Sequence, residues 1–282
     1  MTKGRPTRWT VPALLLLAGC GQAPVLGEFE YARPYGGEKR LPARIEFAAG
    51  RIKVGRTKAA NLYQMNLRYD PDRFRPIGSY DPDGMVRLGA ASIGKGDVRV
   101  GRSRALPQTA HIGFAPEPDL ELDVLLGAAE AELDLGGLRL SSLKLTTGAS
   151  RTTISFTTPN PGACQAASVT SGAGQVYIAS AGNSGCAEWR FDGGVGKVTI
   201  DLDGAWPADA RMALNLAVGG VTLHAPKRLG IRVTMEGFLA KFAGDGFTRS
   251  EKTYTSAGYD AAARKLEVEV NSAVSGVQVE WK

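Results

Sequence analysis

Apolar and polar residues alternate along most of this chain, and glycines break the alternation at nearly even intervals. Gly127, Gly148, Gly172, Gly194 and Gly219 stand 21, 24, 22 and 25 residues apart. Each separates an incoming run from an outgoing one: Leu120/Leu122/Val124 from Ala131/Leu133/Leu135, Leu143/Leu145 from Ile154/Phe156, and Trp189/Phe191 from Val198/Ile200/Leu202. Met212/Leu214/Leu216 and Val221/Leu223 close the series. A period of two sends successive side chains to opposite faces, so each run predicts a strand with one face toward a core. Two short strands per unit cannot bury their apolar face alone, and neighbouring units must stack. The pattern therefore predicts an all-β fold: one β-solenoid domain over residues 41–282, in coils of 21–25 residues.

Outside the clear repeats the same period recurs more loosely. Ile45/Phe47 and Ile52/Val54 flank Ala49-Gly50, and Tyr63/Met65/Leu67/Tyr69 share one strand face. Asp70-Pro71-Asp72 and Asp81-Pro82-Asp83-Gly84 read as turns, because proline fixes φ and Asp bonds to nearby backbone. Met85 to Leu88 should pair with an earlier strand, and 89–118 is less regular. Leu266/Val268/Val270 and Val277/Val279/Trp281 finish as strands. No ten-residue window carries a 3.6 period; a short hook over Phe238–Phe242 is the most helical stretch. An open solenoid end exposes unpaired backbone groups, so the irregular segment Pro226 to Tyr259 reads as a cap.

The cysteines test the repeat. Cys164 and Cys186 each lie eight residues before a repeat glycine, Gly172 and Gly194. Equivalent positions in adjacent coils sit about 4.8 Å apart, within reach of a disulfide. Spacing thus predicts a Cys164–Cys186 bridge; two buried free thiols are the alternative. Neither cysteine has a CxxC partner or a histidine nearby in sequence, which argues against redox catalysis.

The N-terminus carries an address. Lys3, Arg5 and Arg8 precede a short apolar core from Trp9 to Leu17, well below the ~20 residues of a membrane span. The core ends in Leu17-Ala18-Gly19-Cys20, which resembles the lipobox of bacterial lipoprotein signal peptides. The resemblance implies cleavage after residue 19, a diacylglycerol thioether on Cys20, and a membrane attached through that anchor. An ordinary secretory signal is the alternative. No Asp follows Cys20, which suits the outer membrane of a host that has one. Residues 20–40, with Pro24, Pro34, Gly36 and Gly37, read as a lipidated start and flexible tether.

Composition changes the picture little. Glycine numbers 36 of 282 residues, well above the usual ~7% and suited to many tight turns. Net charge is +6, and removing the leader with its three basic residues leaves +3. Basic and acidic residues alternate instead of clustering, which argues against a nucleic-acid partner.

Candidate chemistry is sparse. His111 and His224 are the only histidines and fit no metal or nucleophile motif. Gly89-AASI-Gly94-Lys95 resembles part of a phosphate loop, yet Gly96 replaces the Ser/Thr and no helix follows. The most suggestive set is acidic: Glu117, Asp119, Glu121 and Asp123, then Glu130, Glu132 and Asp134. Asp119, Glu121 and Asp123 could hold a cation such as Ca²⁺, and the acidic residues over 119–134 could supply the acid/base pair of a polysaccharide-active β-helix enzyme. The plainer reading is a solvated face neutralised by Arg139, Lys144 and Arg151 on the next coil. Outward positions elsewhere are Thr, Ser, Lys and small residues, without an aromatic platform for sugar rings. The residues call for no cofactor.

Three stretches carry a family resemblance. AAGRIKVGRTKAANLYQMNLRYD from Ala48 resembles the entry strands of LiaF-type, cell-wall-active antibiotic response domains, and LLGAAEAELDLGGLRLSSLKLTTGASRTTISFTTPNP resembles their central repeats. TYTSAGYDAAARKLEVEVNSAVSGVQVEW is similar to their closing strands, and toast-rack and adhesin-like β-repeat domains share this organisation. The resemblance brings no catalytic residues and implies a part in envelope-stress sensing. The expectation is a lipid-anchored, non-catalytic protein outside the cytoplasm, presenting a solenoid surface to an envelope protein or glycan. The alternatives are the β-helix enzyme above and a structural protein assembling through open solenoid ends.

Overall fold

A computed structural model describes residues 25–58, 60–94, 108–237 and 241–282. Cys20, Lys95 and Gly96, and most of the hook at 238–242, lie outside the described residues. The described chain is almost entirely strand, with one 3-10 turn at Ala181–Ser184. No helix in it is long and apolar enough to cross a membrane.

Seven long strands form the body: β2 (Arg40–Arg56), β7 (Asp119–Asp134), β8 (Leu140–Ser155), β9 (Cys164–Ala179), β10 (Cys186–Asp201), β11 (Ala210–Ala225) and β16 (Arg264–Trp281). They lie side by side in that order, all parallel. Each repeat unit is therefore one bent strand, not the two short strands that alternation suggests. The bend shows in burial. In β7 the buried positions are Leu120, Leu122, Val124 and Leu126, then Ala129, Ala131 and Leu133. Parity flips between Leu126 and Ala129. A strand turning a corner around a core must shift by an odd step there, or its second half would point outward.

Stacking puts like with like inside. One interior row runs Ala43, Leu122, Leu143, Ala167, Trp189, Met212 and Val268 across seven coils. Ala167 beside Trp189 leaves room for the indole, which stacks on Phe191 at 5.7 Å and meets Phe156 edge-on at 6.2 Å.

The corner explains the glycines and corrects their register. Gly127, Gly148, Gly172 and Gly194 follow one another at the bend; a Cβ on Gly194 would lie 2.5 Å from the Gly172 oxygen. Gly219 does not continue that row, because it pairs with Gly196, which pairs with Gly174. The 25-residue spacing to Gly219 is thus a step between two glycine rows, and the coil itself advances by 23.

Coil order departs from chain order at both ends. After β2 the chain leaves for one end of the stack through β3 (Asn61–Tyr69), β4 (Phe74–Tyr80), β5 (Val86–Ser92) and β6 (Thr109–Phe114). β5 and β6 pair with the two halves of β2, and antiparallel β4 and β3 cover them. The expected pairing of the stretch around Val86 to Leu88 with an earlier strand is the β2–β5 contact. At the far end β12 (Leu229–Gly237) and β13 (Lys241–Ala243) form the outer coil, with the antiparallel β14 (Phe247–Ser250) and β15 (Thr253–Ser256) beyond. β16 returns and inserts between β11 and β12. Residues 226–259 therefore do close the stack, as strands.

Part of the stretch 20–40, expected as a flexible tether, is strand instead. β1 (Gly27–Pro34) pairs antiparallel with β3, and Phe29 and Tyr31 pack against the core. Phe29 and Tyr31 alternate with the exposed Glu28 and Glu30. Only these two apolar positions precede Ala32, Arg33 and Pro34, too short a run to stand out among the prolines and glycines of 24–37.

The inter-strand loops are held by asparagines. Asn160 Oδ1 accepts from the N–H of Leu140 and Gly162, while its Nδ2 donates to the carbonyls of Leu140 and Ser184, at 2.8–3.2 Å. One amide so clamps three successive coils. Asn160→Ala should lower unfolding free energy by about 3 kcal/mol, since it orphans part-buried backbone groups. Denaturant titration followed by far-UV circular dichroism reads this directly.

Candidate binding surface

The outward positions form rows that cross the coils in register. On the half before the corner, the acidic set lies on β7 between β2 and β8. Its carboxylates are engaged from both sides. Glu121 takes a two-pronged ion pair from Arg40, with Nη2 to Oε2 at 2.7 Å. Asp123 lies 3.3 Å from the Arg44 guanidinium, and Asp119 takes Arg139 Nε at 3.1 Å. On the other half Glu132 pairs with Lys53 at 2.7 Å. The hydrogen bonds from Arg40 hold the Glu121 carboxyl below the usual carboxylate range, outweighing partial burial.

Four of the seven acids, Asp119, Glu121, Asp123 and Glu132, are thus ion-paired, largely with other partners than expected. Arg139 is the one expected cation that forms a pair. Lys144 and Arg151 stand beside Asp123 and Glu130 in register, but the pairs are made by Arg40, Arg44 and Lys53 of β2. β2 lies some eighty residues earlier in the chain, because β3–β6 intervene in sequence before the chain returns to the other edge of β2 as β7. Among the described residues no three acidic, His or Cys side chains gather as a metal site.

The remaining predicted residues fall in separate places. Cys164 and Cys186 open β9 and β10 in register, Cα atoms 4.3 Å apart, and are joined by a disulfide. His111 is exposed on β6. His224 Nδ1 lies 3.2 Å from Glu280 on β16. Gly89 of the phosphate-loop resemblance is a strand residue at φ +136, packed on the Glu46 carbonyl, so its glycine has a structural cause.

Two features escaped the sequence pattern. Aromatics gather at the two ends of the stack. Tyr31, Tyr63 and Tyr80 stack at 5.6 and 6.0 Å at one end; Phe242–Tyr254 at 4.2 Å and Phe247–Trp281 at 5.5 Å lie at the other. These rings pack against the core and close its ends. On the outward face of the long strands, Tyr177 is the one aromatic among the exposed large apolar side chains. The second feature is a charged row across the last coils. Glu188, Arg211, Glu267 and Arg232 lie on β10, β11, β16 and β12 in register. With Ala166, Ser168 and Ala213 they line a shallow groove.

Residues 27–179 match the family described as the N-terminal domain of toast_rack, DUF2154. No curated protein matches the chain. Among solved structures, a proposed cell adhesion protein from Clostridium sporogenes is similar at 15% identity and TM-score 0.46, covering 92% of this chain and all of that one. A proposed adhesin from Bacteroides fragilis is similar at 12% identity and TM-score 0.44, covering 92% and 98%. A proposed lipid binding protein from Parabacteroides distasonis stands at 9% and 0.36, covering 90% and 97%.

Proposed function

Since the chain belongs to the toast-rack N-terminal domain family, we propose that it is a non-catalytic envelope protein, held at a membrane by lipid on Cys20. The outward faces of its coils are the working surface, for binding or scaffolding an envelope protein or glycan. The observation that carries this reading is the condition of its acidic rows. Asp119, Glu121 and Asp123 each meet a guanidinium of a neighbouring coil. A general acid for glycoside cleavage needs a carboxyl whose pKa is raised, whereas Arg40 moves that of Glu121 downward. Assembly through open ends also loses support, because antiparallel strands and aromatic rings cover both ends.

The place of β1 sharpens the anchoring. It begins at Gly27, so six residues separate Cys20 from the folded body. Fully extended they span about 20 Å, which holds the solenoid close to the bilayer surface. Growth with an alkyne-bearing fatty acid tests the anchor. The wild-type chain should take the label and sediment with membranes, and Cys20→Ser should do neither. An unlabelled wild-type chain, or a labelled Cys20→Ser variant, would contradict the proposal.

The acidic set has its own check. Asp119→Asn, Glu121→Gln and Asp123→Asn together remove exposed ion pairs worth about 0–1 kcal/mol each. The triple variant should keep its fold and its membrane attachment. A glycan-cleaving activity that this variant abolished would favour the enzyme instead.

A further inference from the structure

The row Glu188, Arg211, Glu267, Arg232 has a property that single ion pairs lack. Its charges alternate −, +, −, + across four adjacent strands, each about 4.8 Å from the next. Rotation by 180° about an axis lying in the face and parallel to the strands, midway between Arg211 and Glu267, turns a second copy onto the first and sets every acid over a base. Glu188 then faces Arg232 of the second copy, and Arg211 faces Glu267. Neutral residues flank the row on both sides, Ala166 on β9 and Thr255 on β15.

The side chains are unevenly occupied within one chain. Arg232 pairs with Glu267 at 3.2 Å and lies over the Tyr259 ring at 4.1 Å, and the Tyr259 hydroxyl donates to Glu267 at 3.0 Å. These two groups are held. Glu188 and Arg211 are exposed and have no hydrogen bond or ion pair among the described residues. The rotation joins each free group to a held one of opposite charge. A row serving only its own chain would use Arg211 against Glu188 or Glu267 beside it.

We propose that this face is a two-fold contact between copies of the chain, centred between Arg211 and Glu267. A two-fold contact uses the same patch on both partners, and charge complementarity fixes its register. The groove floor of Ala166, Ser168 and Ala213 lets the second copy's side chains approach. Two residues along the strands the same rotation sets Lys265 against Asp209 of the second copy on one side of the row, and Glu269 against the small Ala213 on the other. Five strands give a face about 20 Å wide, which places the contact in the weak, small-interface class. It should be sensitive to salt.

Sedimentation velocity on the full chain, in a non-ionic detergent with micelles in molar excess, tests the contact. The protein mass should double as concentration rises in low salt and return toward one copy in about 0.5 M NaCl. Arg211→Glu alone, and Glu267→Arg alone, should each remain at one copy, with unchanged circular dichroism. An equimolar mixture of the two should recover the doubled mass, because each acid of one then meets a base of the other. A wild-type chain that stays at one copy throughout, a variant that dimerises alone, or a mixture that fails to dimerise would each overturn the proposal. Loss of fold in Glu267→Arg would move the pair to Glu188→Arg and Arg232→Glu, which carry the same expectation.

Discussion

Gly219→Ala should lower the unfolding free energy by about 4 kcal/mol, while Gly220→Ala, one residue on, should cost less than about 1 kcal/mol. At Gly219 φ is +149, and an added Cβ would come 2.1 Å from the Gly196 carbonyl oxygen. Two effects add there: a backbone conformation that L side chains rarely adopt, and a clash with backbone that no rotamer relieves. At Gly220 the nearest atom would be 3.6 Å away, ordinary contact. Thermal melts of both variants check the pair, with an expected fall of about 8 °C or more for the first. Equal effects would mean that the corner tolerates a wider coil spacing than the structure shows.

Removing the disulfide comes next in size. Cys164 and Cys186 close a loop with a sequence separation of 22, and such a bridge contributes about 3 kcal/mol in the loop-entropy estimate. The Cys164→Ser/Cys186→Ser chain should be destabilised by about that amount in denaturant titration. Reductant should destabilise the wild-type chain equally and leave the double variant unmoved. A wild-type chain indifferent to reductant would show that the bridge adds no stability in solution.

The bridge also shows which parts of this fold a sequence makes legible. Cys164 and Cys186 could be paired from their offsets because β9 and β10 follow each other and stack directly. The same holds for the interior rows of β7 to β11, where a period of two and a step of about twenty residues suffice. Legibility fails where chain order and coil order diverge. Nothing in the alternation places Arg40 beside Glu121, or β16 between β11 and β12. Both depend on pairing between strands far apart in sequence. The edge strand β1 was hidden for a different reason. Its period-two run holds only Phe29 and Tyr31, and it sits among the prolines and glycines of 24–37 that read as a linker. The corner glycines were visible, but their two rows were merged, since spacing alone cannot tell adjacent positions in one bend apart.

For the candidate surface the outcome follows the same division. The acidic residues were visible in the sequence, and four of them are ion-paired, three with the coil across the detour and one with Arg139. The alternating row of Glu188, Arg211, Glu267 and Arg232 was out of reach, because β16 and β12 exchange places relative to the sequence. A sequential stack would have set Arg211 beside Arg232.

Coil order underlies every outward row described for this protein, and cysteine trapping measures it most directly. Thr222 is in register with Gln278, and Gln278 with Ala243, so β16 separates Thr222 from Ala243. The variant Thr222→Cys/Gln278→Cys should form a bridge under mild oxidation, because adjacent strands bring Cα atoms within disulfide range. Thr222→Cys/Ala243→Cys should not, since two strand spacings of about 10 Å intervene. Peptide mapping of the oxidised chains reads both. A bridge in the second variant and none in the first would mean that the coils stack in chain order.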